Sequence, residues 1–499
     1  MPKSPFADLQ IPHCSLSQFL FAELDSKAEL VAFVEGLSGR QITYRELWAG
    51  AQSVAHQLTQ KGLRKGEVVA ILAPNGIDNV VAWQGIVLAG GVVTGINPSY
   101  TAEEIAYQIG DAGARFLFAA PELAPSAPAL EHVITFPLDL PAHEFAPVAV
   151  DPARDLATVP FSSGTSGRAK GVMLSHRNCI AMLLQMEAVL GNRPGDVVLA
   201  VLPLFHIFGM QVLMNHVIAK GLKAVLMPRF EMEPALRLIQ EHRISYFFLV
   251  PPIVLGLAKH PAVSQYDLSS LRYIMSGAAP LDAAIQDAAS QRLGVTVLQG
   301  YGMTETSLAV AVMPQGSRHP GSSGLLLPNV EVQLRCPETG QRLPDHERGE
   351  IYVHGPNIMQ GYLNHPEASA ECLDAEGWLR TGDIGYFDES GQLFVVDRVK
   401  ELIKYKGFQV APAEVEGVLL THPLVVDCAV IGVPDEEAGE IPKAFIVSRQ
   451  PVELEELQEH CRLHLCHHKQ IRQLENIEVI PRSPAGKILR RLLRSGAHA

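Results

Sequence analysis

Short apolar runs rich in β-branched residues recur through the first two thirds of the chain, each bounded by polar or turn-forming positions. EVVAILAP (67–74), DVVLAVLPL (196–204), KAVLMP (223–228), YFFLVPP (246–252) and VTVLQGYG (295–302) are of this kind and predict strands. Between such runs lie stretches where apolar residues return every three to four positions. TYRELWAGAQSVAHQLTQKG (43–62) is one, and it predicts an amphipathic helix. Alternating strands and helices predict an α/β fold with mostly parallel sheets. In such sheets ligands collect beyond the carboxyl ends of the strands. SSGTSG (162–167) and QGYGMTE (299–305) both follow strand-like runs, so both could face one crevice.

Beyond about residue 320 the texture changes to short strands and turns. NVEVQL and GEIYVHG read as strands, and GYFDESGQLFVVDR reads as a hairpin turning at DESG. After Arg398 a compact α+β unit is expected, with LVVDCAVIGVP and KAFIVS as strands. ELEELQEHCRLHLCHHK (453–469) has helical periodicity throughout. The boundary falls near residues 397–400, giving an N-terminal domain 1–397 and a C-terminal domain 398–499. A length of 499 residues suits more than one domain.

Composition narrows the class. With 47% hydrophobic and 19% charged residues, the chain can build a large core. Lys and Arg number 40 against 53 Asp and Glu, a net charge of −13, which disfavours nucleic acid as a partner. Seven scattered cysteines without a CxxC pair read as reduced thiols, so the cytoplasm is the expected compartment. MPKSPFADLQ has no signal-peptide pattern and the final SGAHA is no peroxisomal address. YFFLVPPIVLGLA (246–258) is too short to span a bilayer and contains Pro251 and Pro252.

SSGTSGRAKG (162–171) gathers hydroxyls, glycines and a lysine. Glycine lets successive backbone N–H groups turn toward one point, and such nests bind anions. Hydroxyls add donors and Lys170 adds charge, so a phosphate suits this loop; a flexible surface loop is the plainer reading. A Walker A loop is disfavoured. That pattern sets four residues between a glycine and Gly-Lys-Ser/Thr, whereas Lys170 stands six positions after Gly164 and precedes Gly171.

FSSGTSGRAKGVMLSH (161–176) resembles the signature loop of the adenylate-forming superfamily, which holds acyl-CoA synthetases, luciferases and adenylation domains. GYGMTET (300–306), GWLRTGDIG (377–385), DRVKELIKYKGFQVAPAEVE (397–416) and PRSPAGKILRR (481–491) resemble family segments in the same order. INPSYTAEEI (96–105) and LPLFHIFG (202–209) do so as well. The likeness covers nearly the whole chain and is nearest to the 4-coumarate–CoA ligase-like branch. It implies a large N-terminal α/β domain with two mostly parallel sheets and a small β-barrel-like subdomain, then a mobile α+β domain. It also implies a reaction in two halves. A carboxylate attacks the α-phosphate of ATP, with Mg²⁺ as cofactor, giving an acyl-adenylate and pyrophosphate; the thiol of CoA then displaces AMP.

The resemblance assigns residues to these steps. Ser162, Ser163, Gly164, Thr165, Ser166, Gly167 and Lys170 would cradle the β- and γ-phosphates. Thr304 would meet the α-phosphate and Glu305 would hold Mg²⁺, an ion that favours hard oxygen ligands. Tyr301 would stack on adenine in a slot lined by Ala278, Ala279, Gln299 and Gly300, and Asp383 with Arg398 would clamp the ribose. Lys404 and Gln409 match AMP contacts, Lys400 the hinge, and Lys406, Gly407 and Arg229 the CoA site. His206 matches a histidine between the acyl and CoA pockets. Lys487, in SPAGK, would bridge the α-phosphate and the incoming carboxylate and neutralise charge in the transition state.

The acyl pocket is expected from Ile207, Phe208, Val212, Met275, Gly277, Ala278, Gly300, Gly302, Met303, Leu308 and Ala309. Phe208 stands where plant-type enzymes carry a tyrosine, and Val212 and Met275 are apolar where polar residues are usual. A buried substrate phenol without a partner costs about 1–3 kcal/mol, so a cinnamate-like or other aryl acid, or a medium-chain fatty acid, is expected. Transfer to a carrier protein instead of CoA is the alternative, and a luciferase-like oxygenase shares the same motifs. If helix ran through HCRLHLCHH (460–468), Cys461, His464 and His468 would share a face suited to zinc; an ordinary helix is the expected reading.

Overall fold

The computed structural model describes residues 2–139, 141–162, 168–406, 408–483 and 486–496. The helix expected at 43–62 runs Tyr44–Gln60 and starts at a capping box: the Thr43 hydroxyl accepts from the Glu46 N–H, and the Glu46 carboxylate accepts from the Thr43 N–H at 2.8 Å. Its buried stripe, including Tyr44, Leu47, Ala51, Val54 and Leu58, packs on the helix Ile77–Leu88, whose residues are nearly all buried. Gly85 permits this close approach, since a Cβ there would lie 2.5 Å from Val54 side-chain carbons.

Two large sheets carry the N-terminal part. One has six strands in the order Leu174–Ser175, Leu156–Thr158, Val92–Ile96, Val68–Leu72, Phe116–Ala119, His132–Thr135. The other has nine, and its centre runs Thr296–Tyr301, Tyr273–Ser276, Tyr246–Leu249, Val197–Ala200, Lys223–Leu226, Val31–Glu35, all parallel. The expected strands at 67–74, 196–204, 223–228, 246–252 and 295–302 all lie in these sheets. The apolar stretch 246–258 divides into the strand Tyr246–Leu249 and the helix Pro251–Lys259. Its prolines occupy the first helical turn, where no intrahelical N–H bond is needed.

A smaller sheet follows, four-stranded and antiparallel, Glu331–Arg335, Gly349–His354, Leu379–Phe387, Leu393–Arg398, in that order. DESG turns its last hairpin. A five-stranded sheet follows in the C-terminal part, built on the long antiparallel pair Val425–Asp435 and Gly439–Ser448. Buried apolar side chains up to Leu393 form clusters separate from those beginning at Ile403. Between them, Gly417 on the helix Pro412–Leu420 lies against Asp282, and Gly486 lies against Val250. Among the described residues no helix is long and apolar enough to cross a membrane.

The helix read through 469 stops at Arg462. Leu463 points to solvent at 72% exposure while Leu465 is buried in the C-terminal core, so these apolar positions do not continue one helical face. The zinc-binding face therefore does not form. Cys461 is buried in the C-terminal core, the His464 ring meets His460, and Cys466 pairs with His468. Among the described residues no three His, Cys, Asp or Glu side chains are grouped to hold a metal.

The N-terminal helix Leu16–Leu20 is fastened to this body by a neutral histidine. The Leu16 N–H donates to His176 Nδ1 at 3.1 Å, and burial lowers His176 to about 4. A folded-state value below the ordinary 6.5 means that the unfolded chain binds the proton first. The contribution is complete above pH 6.5 and is lost as pH falls toward 4. His216, also lowered to about 4 by burial, acts in the same direction. The melting temperature should therefore fall between pH 6.5 and 4, and His176→Asn, which keeps an acceptor without the titration, should make that fall shallower.

Candidate active site

The strands Tyr246–Leu249, Tyr273–Ser276 and Thr296–Tyr301 lie side by side, with Leu249, Ser276 and Gln299 in register. Their carboxyl ends therefore bring Val250, Gly277 with Ala278, and Tyr301 with Gly302 to one edge. Ala278 is exposed with φ of 71°, a left-handed conformation that costs a residue with a Cβ about 1–2 kcal/mol. The turn is held from behind by Gln299. Its Nε2 donates to Leu281 O at 3.0 Å and Gln286 Oε1 at 2.8 Å, and its Oε1 accepts from the Leu281 N–H at 3.1 Å. The Gln299 amide thus ties the turn after Ser276 to the strand Thr296–Tyr301.

Asp383 sits directly opposite Arg398 in the hairpin, as the fifteen-residue spacing suggests. Arg398 Nε lies 3.2 Å from Asp383 Oδ1, and the Tyr301 hydroxyl donates to Oδ2 at 2.8 Å. The Asp383 N–H is tied to Thr381 Oγ1. Burial raises the Asp383 carboxyl above its ordinary value, while Arg398, Tyr301 and Lys487 draw it back down.

Lys487 reaches this cluster from the far end of the chain. Ser483 turns its loop, accepting from the Lys487 N–H through Oγ and donating its N–H to Lys487 O. Gly486 has φ of 77°, and a Cβ there would lie 3.0 Å from Val250. Burial, then the Arg398 charge, lowers the Lys487 ammonium to about 8; Glu401 and Asp383 oppose the shift.

The base of this loop is anchored by Arg490. Its guanidinium meets Glu401 at 2.8 Å and Glu416 at 2.6 Å and donates from Nε to Val430 O. Asp397 lies beside it and accepts the Ala413 N–H at 3.0 Å. Pro412 has no N–H, so this is the first free donor of the helix Pro412–Leu420, whose own N-cap Ala411 has no capping side chain. Burial raises Asp397 to about 6. Lys400 occupies the exposed turn between these contacts.

Thr304 and Glu305 lie in the short turn Thr304–Thr306, both buried. Gly302 makes the turn possible, since a Cβ there would stand 1.9 Å from Leu308 O. Glu305 Oε1 accepts from the Tyr362 hydroxyl at 2.8 Å, and Lys170 Nζ lies 5.6 Å from the centre of the Tyr362 ring. Lys170 pairs across two short strands with Ser162. Ser163, Gly164, Thr165, Ser166, Gly167 and Gly407 lie outside the described residues.

His206 is half-buried at the start of the segment leading to Phe208 and Val212. Its Nδ1 accepts from the Phe208 N–H at 3.3 Å, so the neutral ring carries its proton on Nε2. Burial lowers it to about 4. The buried Phe208 ring stands over Gly277, where a Cβ would come within 2.9 Å, and meets Phe248 edge-on at 6.3 Å. Gly300 borders Met275, while Leu308 and Ala309 pack against Gly302. Ile207 and Val212 are buried, and Met303 is half-buried.

The remaining expected contacts are spread over the surface. Lys404 and Gln409 face each other across a two-strand pairing, both exposed, and Gln409 reaches Glu338. Lys406 is exposed with φ of 47°, and Arg229 is exposed beyond the strand Lys223–Leu226. Tyr362, Phe248 and Arg490 were not among the expected site residues. For Tyr362 the available signal was a glycine–tyrosine pair in QGYLN; for Arg490 it was its place just after SPAGK.

Residues 21–363 match the AMP-binding enzyme family, and residues 414–487 match the AMP-binding enzyme C-terminal domain. The chain is 37% identical over 532 aligned positions to a 4-coumarate–CoA ligase of Pinus taeda, covering 99% of this chain and 97% of that protein. It superposes on ATP-bound MatB from Rhodopseudomonas palustris with a TM-score of 0.90 at 31% identity, covering 98% of this chain and 99% of that one. The ligand-free form of the same MatB gives 0.79 with the same coverage. An anthranilate CoA ligase, AuaEII, in complex with anthranoyl-AMP gives 0.89 at 29% identity, covering 98% of both chains. The chain belongs to the AMP-binding enzyme family, within the adenylate-forming acyl-CoA synthetase superfamily.

Tyr301→Phe keeps the ring and removes one hydrogen bond to a buried carboxylate, an interaction of about 1.5–3 kcal/mol. KM for ATP should rise by about tenfold or more, with a smaller change in kcat. An unchanged KM would remove the Tyr301–Asp383 pair from nucleotide binding.

Proposed function

We propose that this chain is an AMP-forming carboxylic acid–CoA ligase. The observation that carries the reading is the convergence of Lys487 with Asp383 and Arg398, from opposite sides of the hinge region, at the edge where Tyr301 ends its strand. In the first half-reaction an acid oxygen attacks the α-phosphate of ATP and pyrophosphate leaves. Two anions must meet, so the site needs fixed cations and directed donors. Lys487 neutralises charge between the carboxylate and the α-phosphate. Asp383, held by Arg398 and Tyr301, accepts hydrogen bonds from the ribose hydroxyls, and the Tyr301 ring carries adenine. Ser162 and Lys170, with the loop between them, receive the departing pyrophosphate, and Thr304 meets the α-phosphate. His206, neutral with its proton on Nε2, donates to an oxygen of the acid.

Glu305 fits a magnesium ion: it is a hard oxygen donor, 3% exposed, and only one of its carboxylate oxygens meets Tyr362. Bound there, Mg²⁺ supplies charge neutralisation on the triphosphate. In the second half-reaction the CoA thiol attacks the acyl carbonyl and AMP leaves. We read 1–397 as the unit that binds ATP and acid, and 398–499 as a unit that turns about Lys400. That turn withdraws Lys487 and brings Lys406 and Gly407, with Arg229, to the CoA path. The higher TM-score with the ATP-bound relative than with its ligand-free form supports reading the present arrangement as the adenylating one.

The acid we propose is apolar: cinnamate-like, another aryl acid, or a medium-chain fatty acid. Phe208 backed by Phe248, with Val212 and Met275, gives a wall without a hydroxyl partner. The cytoplasm is the compartment we propose, in keeping with seven unpaired cysteines.

Incubation with ATP, Mg²⁺, CoA and a panel of acids should give AMP and pyrophosphate with one acid class; ADP and phosphate would sink the reading. Lys487→Ala should lower adenylate formation by about 100-fold or more while leaving thiolysis of supplied acyl-adenylate largely intact. Lys487 must be protonated to act, and its value of about 8 puts its charge loss just above neutrality. In pyrophosphate exchange, kcat/KM for ATP should fall as pH rises through about 8. Lys487→Arg, charged throughout this range, should abolish that descending limb even if it lowers the rate.

A further inference from the structure

We propose that Tyr362 is a positioning residue that joins the phosphate loop to the metal carboxylate: its hydroxyl fixes Glu305 and its ring seats Lys170. This rests on the reading of Glu305 as the magnesium ligand. The Tyr362 hydroxyl donates to Glu305 Oε1 at 2.8 Å, and Lys170 Nζ stands 5.6 Å from the ring centre on a cation–π contact. Among the described residues, that is the only hydrogen bond to the buried Glu305 carboxylate. The phenol engages one oxygen and leaves Oε2 to a cation.

The backbone around Tyr362 is laced to both partners. The Met359 N–H donates to Glu305 O at 2.9 Å. On the other side, Gln360 N–H donates to Met173 O, Met173 N–H to Gly361 O, and Leu363 N–H to Gly171 O, at 2.8–2.9 Å. Val172 and Tyr362 form a β-bridge. The strip 359–363 thus spans from the magnesium turn to the exit of the phosphate loop.

Its local shape is also fixed. Gly361 has φ of 136°, which disfavours any residue with a Cβ, and such an atom would lie 3.0 Å from Ser369 Oγ. That same Oγ accepts the Tyr362 N–H at 2.8 Å. A ring held this firmly between an ammonium and a carboxylate sets their separation. The consequence is that charge on the β- and γ-phosphates and charge on the metal side are balanced by one rigid unit.

Tyr362→Phe keeps the ring, and with it the seat of Lys170, and deletes only the hydroxyl. The test is Mn²⁺ titration by electron paramagnetic resonance, with and without a non-hydrolysable ATP analogue, alongside a melting curve. Tyr362→Phe should weaken Mn²⁺ binding in the ternary complex by about tenfold, with metal-free binding of the analogue unchanged and a single cooperative melting transition kept. Wild-type Mn²⁺ affinity in Tyr362→Phe would overturn the proposal. Loss of metal binding matched by an equal loss of metal-free analogue binding, or by a melting curve that is no longer one cooperative transition, would also overturn it, since the tyrosine would then be a packing element. Glu305→Gln separates the two levels. If it binds Mn²⁺ as wild type does, the magnesium assignment itself fails; if it loses Mn²⁺ while Tyr362→Phe does not, only the role of Tyr362 fails.

Discussion

A carboxylate kept from water at Asp383 is the constraint around which this molecule is arranged. A buried charge is tolerated only where partners surround it, and here each partner comes from a different part of the fold. Tyr301 ends a strand of the nine-stranded sheet, Arg398 faces Asp383 within the four-stranded sheet, and Lys487 arrives from the C-terminal loop. Removing any one of them leaves the others beside an under-compensated charge. The cluster therefore links three structural units in the present arrangement.

Geometry around that cluster is set by backbone more than by side-chain bulk. Gly277, Gly302 and Gly486 each stand where a Cβ would strike Phe208, Leu308 O or Val250. Closely packed positions of this kind hold neighbouring groups within a few tenths of an ångström, the tolerance that charge-on-charge chemistry requires. Parallel register does the rest, because aligned strands end together and their terminal residues become neighbours without any long loop.

Much of this was legible in the sequence because the functional groups sit at strand ends, inside short runs of glycine, hydroxyl and charge. The hairpin that brings Arg398 to Asp383 could be read from DESG and the spacing alone. Tyr362 could not, because its acceptor lies 57 positions away and the glycine–tyrosine pair does not say what the hydroxyl meets. Arg490 was hidden in the same way: KILRR reads as a solvated basic tail until Glu401 and Glu416 are seen to close on it. Periodicity misled at 463–469 because it reports apolar spacing but not which apolar positions meet the core; Leu465 is buried there while Leu463 is not.

The helix Pro412–Leu420 begins with a residue that cannot donate, and its next N–H is satisfied by Asp397 from beyond the linker. The C-terminal unit thus lacks one piece of its own capping. During synthesis that unit emerges after Asp397, so the first turn of its helix can form on a template. Reordering the chain by circular permutation within 398–412 would remove that template and leave a helix whose start must be set by propensity alone.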